Sequence, residues 1–165
     1  MKYEIHKKFL PVESFNEIKN MITESDFPWR RREHMVSDDK ESQMYFTYSF
    51  YNFMSSTSDF YEPLMIPILN QLHAVAPIEV RANMFISALF KESGWHSDRS
   101  FKCKTAILYL NDCDGGTELK IGDKVTFIKA DANKVLIFDT PILHQAITSK
   151  KEPIRYIINF NYFTV

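Results

Sequence analysis

A histidine and an aspartate stand two positions apart in the segment GWHSDRS, at His96 and Asp98. In an extended chain, side chains at positions i and i+2 point to the same face, so these two can converge on one point. An imidazole nitrogen and a carboxylate oxygen at one point can ligate a metal ion. The same spacing is also typical of a hydrogen-bonded turn at the end of a strand, so other residues must distinguish the two interpretations.

A further histidine, His144, follows the apolar segment KVLIFD at residues 134–139. Two histidines and one carboxylate on a β scaffold form the facial triad that holds non-heme Fe(II) and leaves coordination positions open. Zinc accepts the same ligands, so the ligand types alone do not identify the metal. We predict that His96, Asp98 and His144 form a metal centre that is also the catalytic centre.

An arginine near the carboxyl end favours iron over zinc. We expect the last two predicted strands, which begin at His144 and Arg155, to pair as an antiparallel hairpin with Thr148 opposite Arg155. The arginine then lies four strand positions from the metal ligand, or about 13 Å. A guanidinium can bind a remote carboxylate through two hydrogen bonds, and the small Ala146 leaves room for a carbon chain. This geometry fits 2-oxoglutarate, a dicarboxylate that chelates the metal at its other end.

Taken in order, these residues resemble a known family, the Fe(II)- and 2-oxoglutarate-dependent oxygenases, and specifically its small prolyl-hydroxylase-like members and stand-alone bacteriophage members. The resemblance covers about residues 81–163 and rests on HSD at 96–98, AILYLN at 106–111, GGTEL at 115–119, H at 144 and R at 155. It implies that His96, Asp98 and His144 ligate iron and that Arg155 binds the far carboxylate of 2-oxoglutarate. It also implies cofactor-binding roles for Tyr109, whose hydroxyl assists that arginine, and for Asn83.

The resemblance further implies a mainly β fold, the double-stranded β-helix or cupin-like jelly roll, supported by amino-terminal helices. The implied cofactors are Fe(II) and the cosubstrates 2-oxoglutarate and O2. The implied reaction couples oxidative decarboxylation of 2-oxoglutarate to succinate and CO2 with hydroxylation of a substrate. The carboxylate of Asp98 favours hydroxylation, because halogenating relatives have a small residue at that position. Peptidyl proline or an amino acid is favoured as the substrate, whose identity is unknown.

Apolar residues at helical spacing support the amino-terminal half of this picture. Phe15, Ile18 and Ile22 predict an amphipathic helix over residues 11–23.

A second helix is predicted after Ser58, which can act as an N-cap, and Pro63 and Pro67 are expected to kink or shorten it. Between the two helices, residues 45–53 are typical of a strand. The residues of the second helix that we expect to face the core are Phe60, Leu64, Ile68, Leu69 and Leu72.

From residue 78 onward the pattern is that of short strands separated by turns such as NDCDGG and SKKEP. No long helical segment lies between these strands, which argues against a parallel βαβ sheet and favours a sandwich or barrel. The predicted strands are IEVRANMFISALF, KTAILYL, TELKIG, KVTFIKA, KVLIFD, HQAIT and RYIINFNYF.

Composition limits the remaining possibilities. A chain of 165 residues with 45% hydrophobic content suits one domain, with residues 1–76 as mixed support and residues 77–165 as the β core. The net charge of -1 disfavours nucleic acid and anionic membranes as partners. The amino terminus lacks the apolar run of a signal peptide, and we read Cys103 and Cys113 as reduced thiols, so we expect a cytoplasmic protein, in the host cytoplasm if it is viral.

Two other function classes stay open at this point: a zinc-dependent β-sandwich hydrolase, in which Arg155 has no obvious task, and a non-catalytic jelly-roll binding module. Asn159 and Asn161 could line a cavity, although strand alternation places asparagines there without any catalytic task. The run WRRRE at residues 29–33 is interpreted as a solvated face. The other histidines have no matching partners and are expected at the surface or on helices: His6, His34 and His73.

Overall fold

Residues 3–33 and 43–165 are described by the computed structural model; His34 therefore lies outside the described residues. The elements are β1 (Tyr3–Lys7), α1 (Val12–Thr23), β2 (Arg30–Arg32), β3 (Tyr45–Asn52), β4 (Ser55–Ser56), a wide π-helical turn (Tyr61–Met65), α2 (Ile66–Gln71), β5 (Ala76–Ile86), β6 (Lys104–Tyr109), β7 (Gly116–Ile121), β8 (Lys124–Lys129), β9 (Lys134–Asp139), β10 (Leu143–Ile147) and β11 (Ile154–Phe163).

The strands form two antiparallel sheets. The major sheet has the order β1-β9-β6-β11-β5-β3-β2, with β4 paired to β3, and the minor sheet has the order β10-β7-β8. Buried residues of both sheets pack in one cluster, in which Ile107, Leu136 and Ile157 of the major sheet meet Leu119 and Ala146 of the minor sheet. This arrangement confirms the predicted double-stranded β-helix, and each of the seven strands predicted after residue 78 is present.

The predicted hairpin between the last two strands is wrong. His144 on β10 lies opposite Leu119 of β7 in the minor sheet. Arg155 lies opposite Phe85 of β5, and β11 also pairs with β6. Most residues of β11 are buried on both faces of the strand. Such a strand needs packing on each face, which the centre of the major sheet supplies. There β11 pairs with β5 on one edge and with β6 on the other. The chain therefore changes sheets after Thr148 instead of turning back on itself.

The helices cover the face of the major sheet that points away from the minor sheet. Phe15, Ile18 and Ile22 of α1 are buried as predicted. They belong to the same cluster as Leu108 and Ile158 of the major sheet. The preceding residues, Ile107 and Ile157, belong instead to the cluster between the two sheets. This period-two alternation gives the major sheet an apolar layer on each side.

The second helix begins after Ser58, whose Oγ accepts a hydrogen bond from the Phe60 amide at 3.1 Å. Its first turn is wide, because the Ile66 amide donates to the carbonyl of Tyr61, five residues earlier. The expectation that Phe60 faces the core is wrong, since this side chain is 38% exposed. The wide turn shifts the buried face, so that Tyr61 and Met65 occupy core positions ahead of Ile68.

Strands β1, β2 and β4 were not predicted; all three are short and largely exposed, so hydrophobic alternation gives no sign of them. Both cysteines, Cys103 and Cys113, are free and buried. Within the described ranges, no helix combines the length and the apolar character that crossing a membrane requires.

Candidate metal centre

The two histidines are brought together by backbone pairing at the edge of the minor sheet. His96 donates its amide to the His144 carbonyl at 3.0 Å, and His144 donates back to His96 at 2.8 Å. The segment before His96 continues along β10, where the Ser93 amide donates to the Ala146 carbonyl at 3.0 Å. The two imidazole rings consequently lie side by side, with their centroids 4.4 Å apart.

Asp98 completes a cluster of three candidate ligands. Its Oδ1 lies 3.8 Å from Nε2 of His96 and 3.5 Å from Nε2 of His144. One ligand atom from each residue lies within 4.8 Å of the other two. Two imidazoles and one carboxylate at this separation can hold a single divalent ion and leave coordination positions open.

Both imidazoles have the same tautomer. Nδ1 of His96 lies 3.1 Å from the Gly94 carbonyl, and Nδ1 of His144 lies 3.3 Å from the Ile142 carbonyl. A carbonyl only accepts, so each Nδ1 carries the proton and each Nε2 presents a lone pair toward Asp98. Burial and the neighbouring His144 lower the pKa of His96 to about 4, which keeps this ring neutral at pH 7.

The carboxylate of Asp98 is held by three donors on its second oxygen. Oδ2 accepts hydrogen bonds from Oγ1 of Thr105 at 3.2 Å, Nδ2 of Asn159 at 3.1 Å and Nδ2 of Asn161 at 2.8 Å. Burial raises the pKa of this carboxyl, whereas the guanidinium of Arg81 and the hydrogen bond from Asn161 lower it, and the pKa lies well below its usual range. The ionised Asp98 thus directs Oδ1 toward the two histidines.

The sequence alone gave Asn159 and Asn161 no task, and the structure places both against Asp98. Their position could have been found from strand alternation, because residues 155, 159 and 161 share one face of β11. The third donor, Thr105, lies on the neighbouring strand β6. No short-range sequence pattern connects Thr105 to Asp98.

Arg155 lies in the same cavity as the three candidate ligands. Its side chain is 1% exposed, and within the described part of the chain Nε and both Nη atoms have no hydrogen-bond partner. The guanidinium carbon lies 4.7 Å from the ring centre of Phe85. Burial lowers the pKa of Arg155. A buried cation without a counter-charge is costly, so this end of the cavity suits an anion.

The other two predicted cofactor residues lie close to Arg155. Asn83 is buried, lines the cavity, and has an Oδ1 atom without a partner among the described residues. Tyr109 is fully buried, and burial raises its pKa to about 12. Its hydroxyl donates to Oγ1 of Thr117 at 2.8 Å, so it reaches the cavity through this threonine rather than by a direct bond to Arg155.

A second arginine in the cavity, Arg81, was not predicted. It lies on β5 opposite Asn159. Its side chain is 28% exposed, and Nη1 lies 3.3 Å from Oε1 of Glu79. The cavity therefore has a guanidinium at each end, a closed one at Arg155 and an open one at Arg81.

No family model matches the sequence, and a search of the curated proteins finds no match. Among solved structures, the fold is similar to a 2OG-Fe(II) oxygenase family oxidoreductase from Burkholderia pseudomallei, with a TM-score of 0.77 and 8% identity over 98% of this chain and 85% of that chain. It is similar to a prolyl-4-hydroxylase from Pseudomonas putida, with a TM-score of 0.63 and 12% identity over 99% and 94%.

A prolyl hydroxylase from Trichoplax adhaerens, solved in complex with a hypoxia inducible factor oxygen degradation domain peptide fragment, has a TM-score of 0.73 and 15% identity over 98% of this chain and 83% of that chain. At such low identities, structural likeness establishes the fold. The chain has the double-stranded β-helix fold of the 2-oxoglutarate/Fe(II) oxygenases.

Proposed function

We propose that this protein is an Fe(II)- and 2-oxoglutarate-dependent dioxygenase that hydroxylates its substrate. The observation that carries the proposal is the buried guanidinium of Arg155, which has no counter-charge among the described residues and faces the same cavity as the three candidate ligands. A dicarboxylate bound between Arg155 and the three candidate ligands supplies the counter-charge to Arg155 at one end and chelates the metal at the other.

In this proposal, His96, Asp98 and His144 hold the iron, and Arg155 binds the far carboxylate of 2-oxoglutarate through two hydrogen bonds. When bound, iron with 2-oxoglutarate and O2 supplies the oxidative chemistry, in which 2-oxoglutarate yields succinate and CO2 and the substrate gains a hydroxyl group. The histidines contribute neutral Nε2 donors, and Asp98 contributes one negative charge through Oδ1.

Three neighbouring residues shape the cosubstrate site. Ala146 lines the same cavity as the metal ligands and Arg155, and its small side chain leaves room for a carbon chain. Tyr109 fixes Thr117 against the cavity and places its hydroxyl dipole near Arg155. Asn83 lines the same cavity and is proposed to contact the bound cosubstrate from its wall. The apolar walls exclude water from the closed end, which strengthens the contact between Arg155 and a carboxylate.

We propose a peptidyl proline or an amino acid as the substrate class. The support is the fold shared with prolyl hydroxylases, one of which was solved with a bound peptide. A zinc hydrolase on the same three ligands gives Arg155 no partner, and a non-catalytic module gives the three ligands no task.

The proposal is tested by anaerobic titration of the protein with Fe(II) and 2-oxoglutarate. We expect a visible metal-to-ligand charge-transfer band, because chelation places the keto acid on the iron. In Arg155→Gln, metal binding should persist while the dissociation constant for 2-oxoglutarate rises about 10-fold or more, from loss of a charge-assisted pair. Arg31→Gln, an exposed arginine on β2, is the matched control and should behave as the wild type.

With O2 admitted, the wild type should convert 2-oxoglutarate to succinate, measured by mass spectrometry. Absence of the absorption band in the wild type contradicts the proposal. Hydrolytic activity that needs zinc but neither O2 nor a keto acid assigns the centre to the hydrolase alternative instead.

A further inference from the structure

The open end of the cavity has its own cationic side chain. Arg81 and Asn159 face each other across β5 and β11, while Phe85 and Arg155 face each other four positions away, about 13 Å along the strands. Because Asn159 bonds Asp98, Arg81 lies at the level of the metal centre and Arg155 lies at the far end. The 28% exposure of the Arg81 side chain leaves it open to a ligand that enters from solvent.

Arg81 belongs to a small charged group, here called the arginine cluster, that consists of Arg81, Glu79 and Arg99. Oε1 of Glu79 lies 3.3 Å from Nη1 of Arg81, and Oε2 of Glu79 accepts a hydrogen bond from Nη2 of Arg99. One carboxylate thus serves two guanidiniums, and Nε of Arg99 is buried without a partner among the described residues. The cluster carries one net positive charge.

This charge is in excess even when the proposed cofactors are bound. A divalent metal with Asp98 has one positive charge, and Arg155 adds another, so the two charges of 2-oxoglutarate are balanced. The excess charge of the arginine cluster remains without a counter-ion in the described part of the chain. Of the three residues in the cluster, Arg81 lines the cavity, on the side where the primary substrate must approach the metal.

An apolar turn borders the arginine cluster. Phe53 and Met54 connect β3 to β4 with φ angles of 36° and 71°, a left-handed conformation that is uncommon for residues other than glycine and asparagine. Their side chains are 57% and 93% exposed, and the Arg99 guanidinium lies 4.8 Å from the Phe53 ring centre. Positive φ at both positions is what a two-residue hairpin turn between β3 and β4 requires. The turn therefore holds the exposed ring of Phe53 as an apolar surface beside the arginine cluster.

We infer that the primary substrate bears a carboxylate that binds Arg81, with an apolar part of the substrate lying against Phe53. This inference rests on the proposed function, since it takes the metal centre as the site of reaction. Arg81 is assigned to the substrate rather than to 2-oxoglutarate because the closed end of the cavity already has Arg155. The charge of Arg81 at the open end of the cavity therefore favours substrates that bear a carboxylate.

The test measures binding without turnover, in protein loaded with Mn(II) and 2-oxoglutarate. The probes are three capped tripeptides, Glu-Pro-Phe, Gln-Pro-Phe and Lys-Pro-Phe, titrated by calorimetry. We expect the glutamate peptide to bind about 10-fold or more tighter than the glutamine peptide, because a charge-assisted bidentate pair replaces a neutral contact. In Arg81→Gln this preference should disappear, and in Arg81→Lys it should be reduced, since lysine keeps the charge but loses the planar fork.

Arg31→Gln is the matched control and should keep the wild-type preference. Each variant must retain the Fe(II)/2-oxoglutarate absorption band, which shows that the site has folded. If the wild type lacks that band, the proposed function fails. Three outcomes with the band present overturn the inference about the substrate and leave the proposed function standing. The wild type does not prefer the glutamate peptide, the glutamate peptide binds Arg81→Gln as tightly as the wild type, or the glutamate peptide does not bind.

Discussion

At the scale of single residues, the candidate metal centre is prepared for a cation by its hydrogen bonds. The Nδ1 atoms of His96 and His144 are committed to carbonyl groups, and Oδ2 of Asp98 is committed to three donors. The remaining atoms, two Nε2 and one Oδ1, face one another. Hydrogen bonds to the side chains that ligate a metal orient those side chains and raise the affinity for the metal.

The pKa of His96 predicts how the stability of the metal-free protein depends on pH. The folded-state pKa is about 4, below the ordinary value of about 6.5. As the pH falls, His96 is protonated in the unfolded state at a higher pH than in the folded state. The folded state therefore has its full stability above pH 6.5 and loses stability as the pH falls toward 4. We expect a loss of about 3 kcal/mol over this interval, measured by urea unfolding at several pH values.

The matched variant for this prediction is His96→Gln, which cannot titrate. Its free energy of unfolding should fall less between pH 6.5 and pH 4 than that of the wild type. Equal slopes in the two proteins would show that His96 is not the group responsible.

Asn161 offers a test of the contacts that hold Asp98. Asn161→Ala removes the shortest of the three hydrogen bonds to Oδ2, so the carboxylate gains freedom to rotate. We expect the dissociation constant for Mn(II) or Fe(II) to rise about 10- to 100-fold, measured by calorimetry. Asn20→Ala, at an exposed position on α1, is the control. Unchanged metal affinity in a folded Asn161→Ala protein would assign Asn161 a packing role only.

At the scale of elements, β11 sets the length of the proposed cosubstrate site. Arg155 and Asn159 lie on the same face of this strand, four positions apart, so extended backbone fixes the separation between the guanidinium and the Asp98 contact. Four positions of extended strand correspond to about 13 Å. The sequence-based estimate of the same length joined Arg155 to His144 across a hairpin that does not form. The spacing within one strand is local, whereas the choice of pairing partner is not.

The minor sheet depends on a close approach of backbone at Gly116. A Cβ atom at this position would lie 2.1 Å from the carbonyl oxygen of Ile128 on the neighbouring strand β8. Gly116→Ala should therefore push β7 away from β8 and destabilise the protein by about 3 kcal/mol, measured by urea unfolding. Because β7 also pairs with β10, the change should weaken metal binding through His144 as well.

Gly122→Ala is the contrasting variant at the turn between β7 and β8. Its φ of +62° disfavours alanine, but no heavy atom lies within 4 Å of the added Cβ. We expect only about 1 kcal/mol of destabilisation from the backbone conformation, with metal affinity unchanged. If Gly122→Ala proves more harmful than Gly116→Ala, the steric explanation is wrong.

At the scale of the whole molecule, the two sheets enclose the cavity and the helices support the major sheet from outside. One cluster of buried residues extends from α1 and α2 to β5, β6 and β11, and a second joins the two sheets. We propose that the chain forms one domain, because the sheet that carries Arg155 belongs to both clusters.

Arg155 predicts opposite effects on the free and the ligand-bound protein. In the free protein Arg155→Met replaces a buried cation that has no partner among the described residues, so the free energy of unfolding should rise by about 1 kcal/mol. At a ligand concentration 100 times Kd, metal and 2-oxoglutarate should raise the Tm of the wild type by about 5–10 °C, and the 2-oxoglutarate part of this shift should be lost in Arg155→Met. A destabilised free variant that keeps the shift would contradict the role of Arg155.

Much of the fold could be predicted from short-range patterns. Helical spacing of Phe15, Ile18 and Ile22 located α1, and alternation located the strands of the β core. The pattern failed at Phe60, where a wide helical turn shifted the buried face, because the extra residue in that turn leaves no mark in the spacing of apolar side chains.

The sequence by itself determined the residue types of the candidate site, their order along the chain, and the distance along one strand between Arg155 and its neighbours. These properties are local, since they follow from side-chain chemistry and from the rise of an extended chain. The fold class was predicted from the run of short strands after residue 78 and from the family resemblance carried by the motifs around His96, Asp98, His144 and Arg155.

Only the tertiary structure decided which strands are neighbours. The direct pairing of His96 with His144, the contact of Asn161 with Asp98, and the position of Arg81 at the open end each join segments far apart in sequence. Such contacts depend on the sheet in which each strand is buried, which is decided by packing of the whole chain rather than by any short segment.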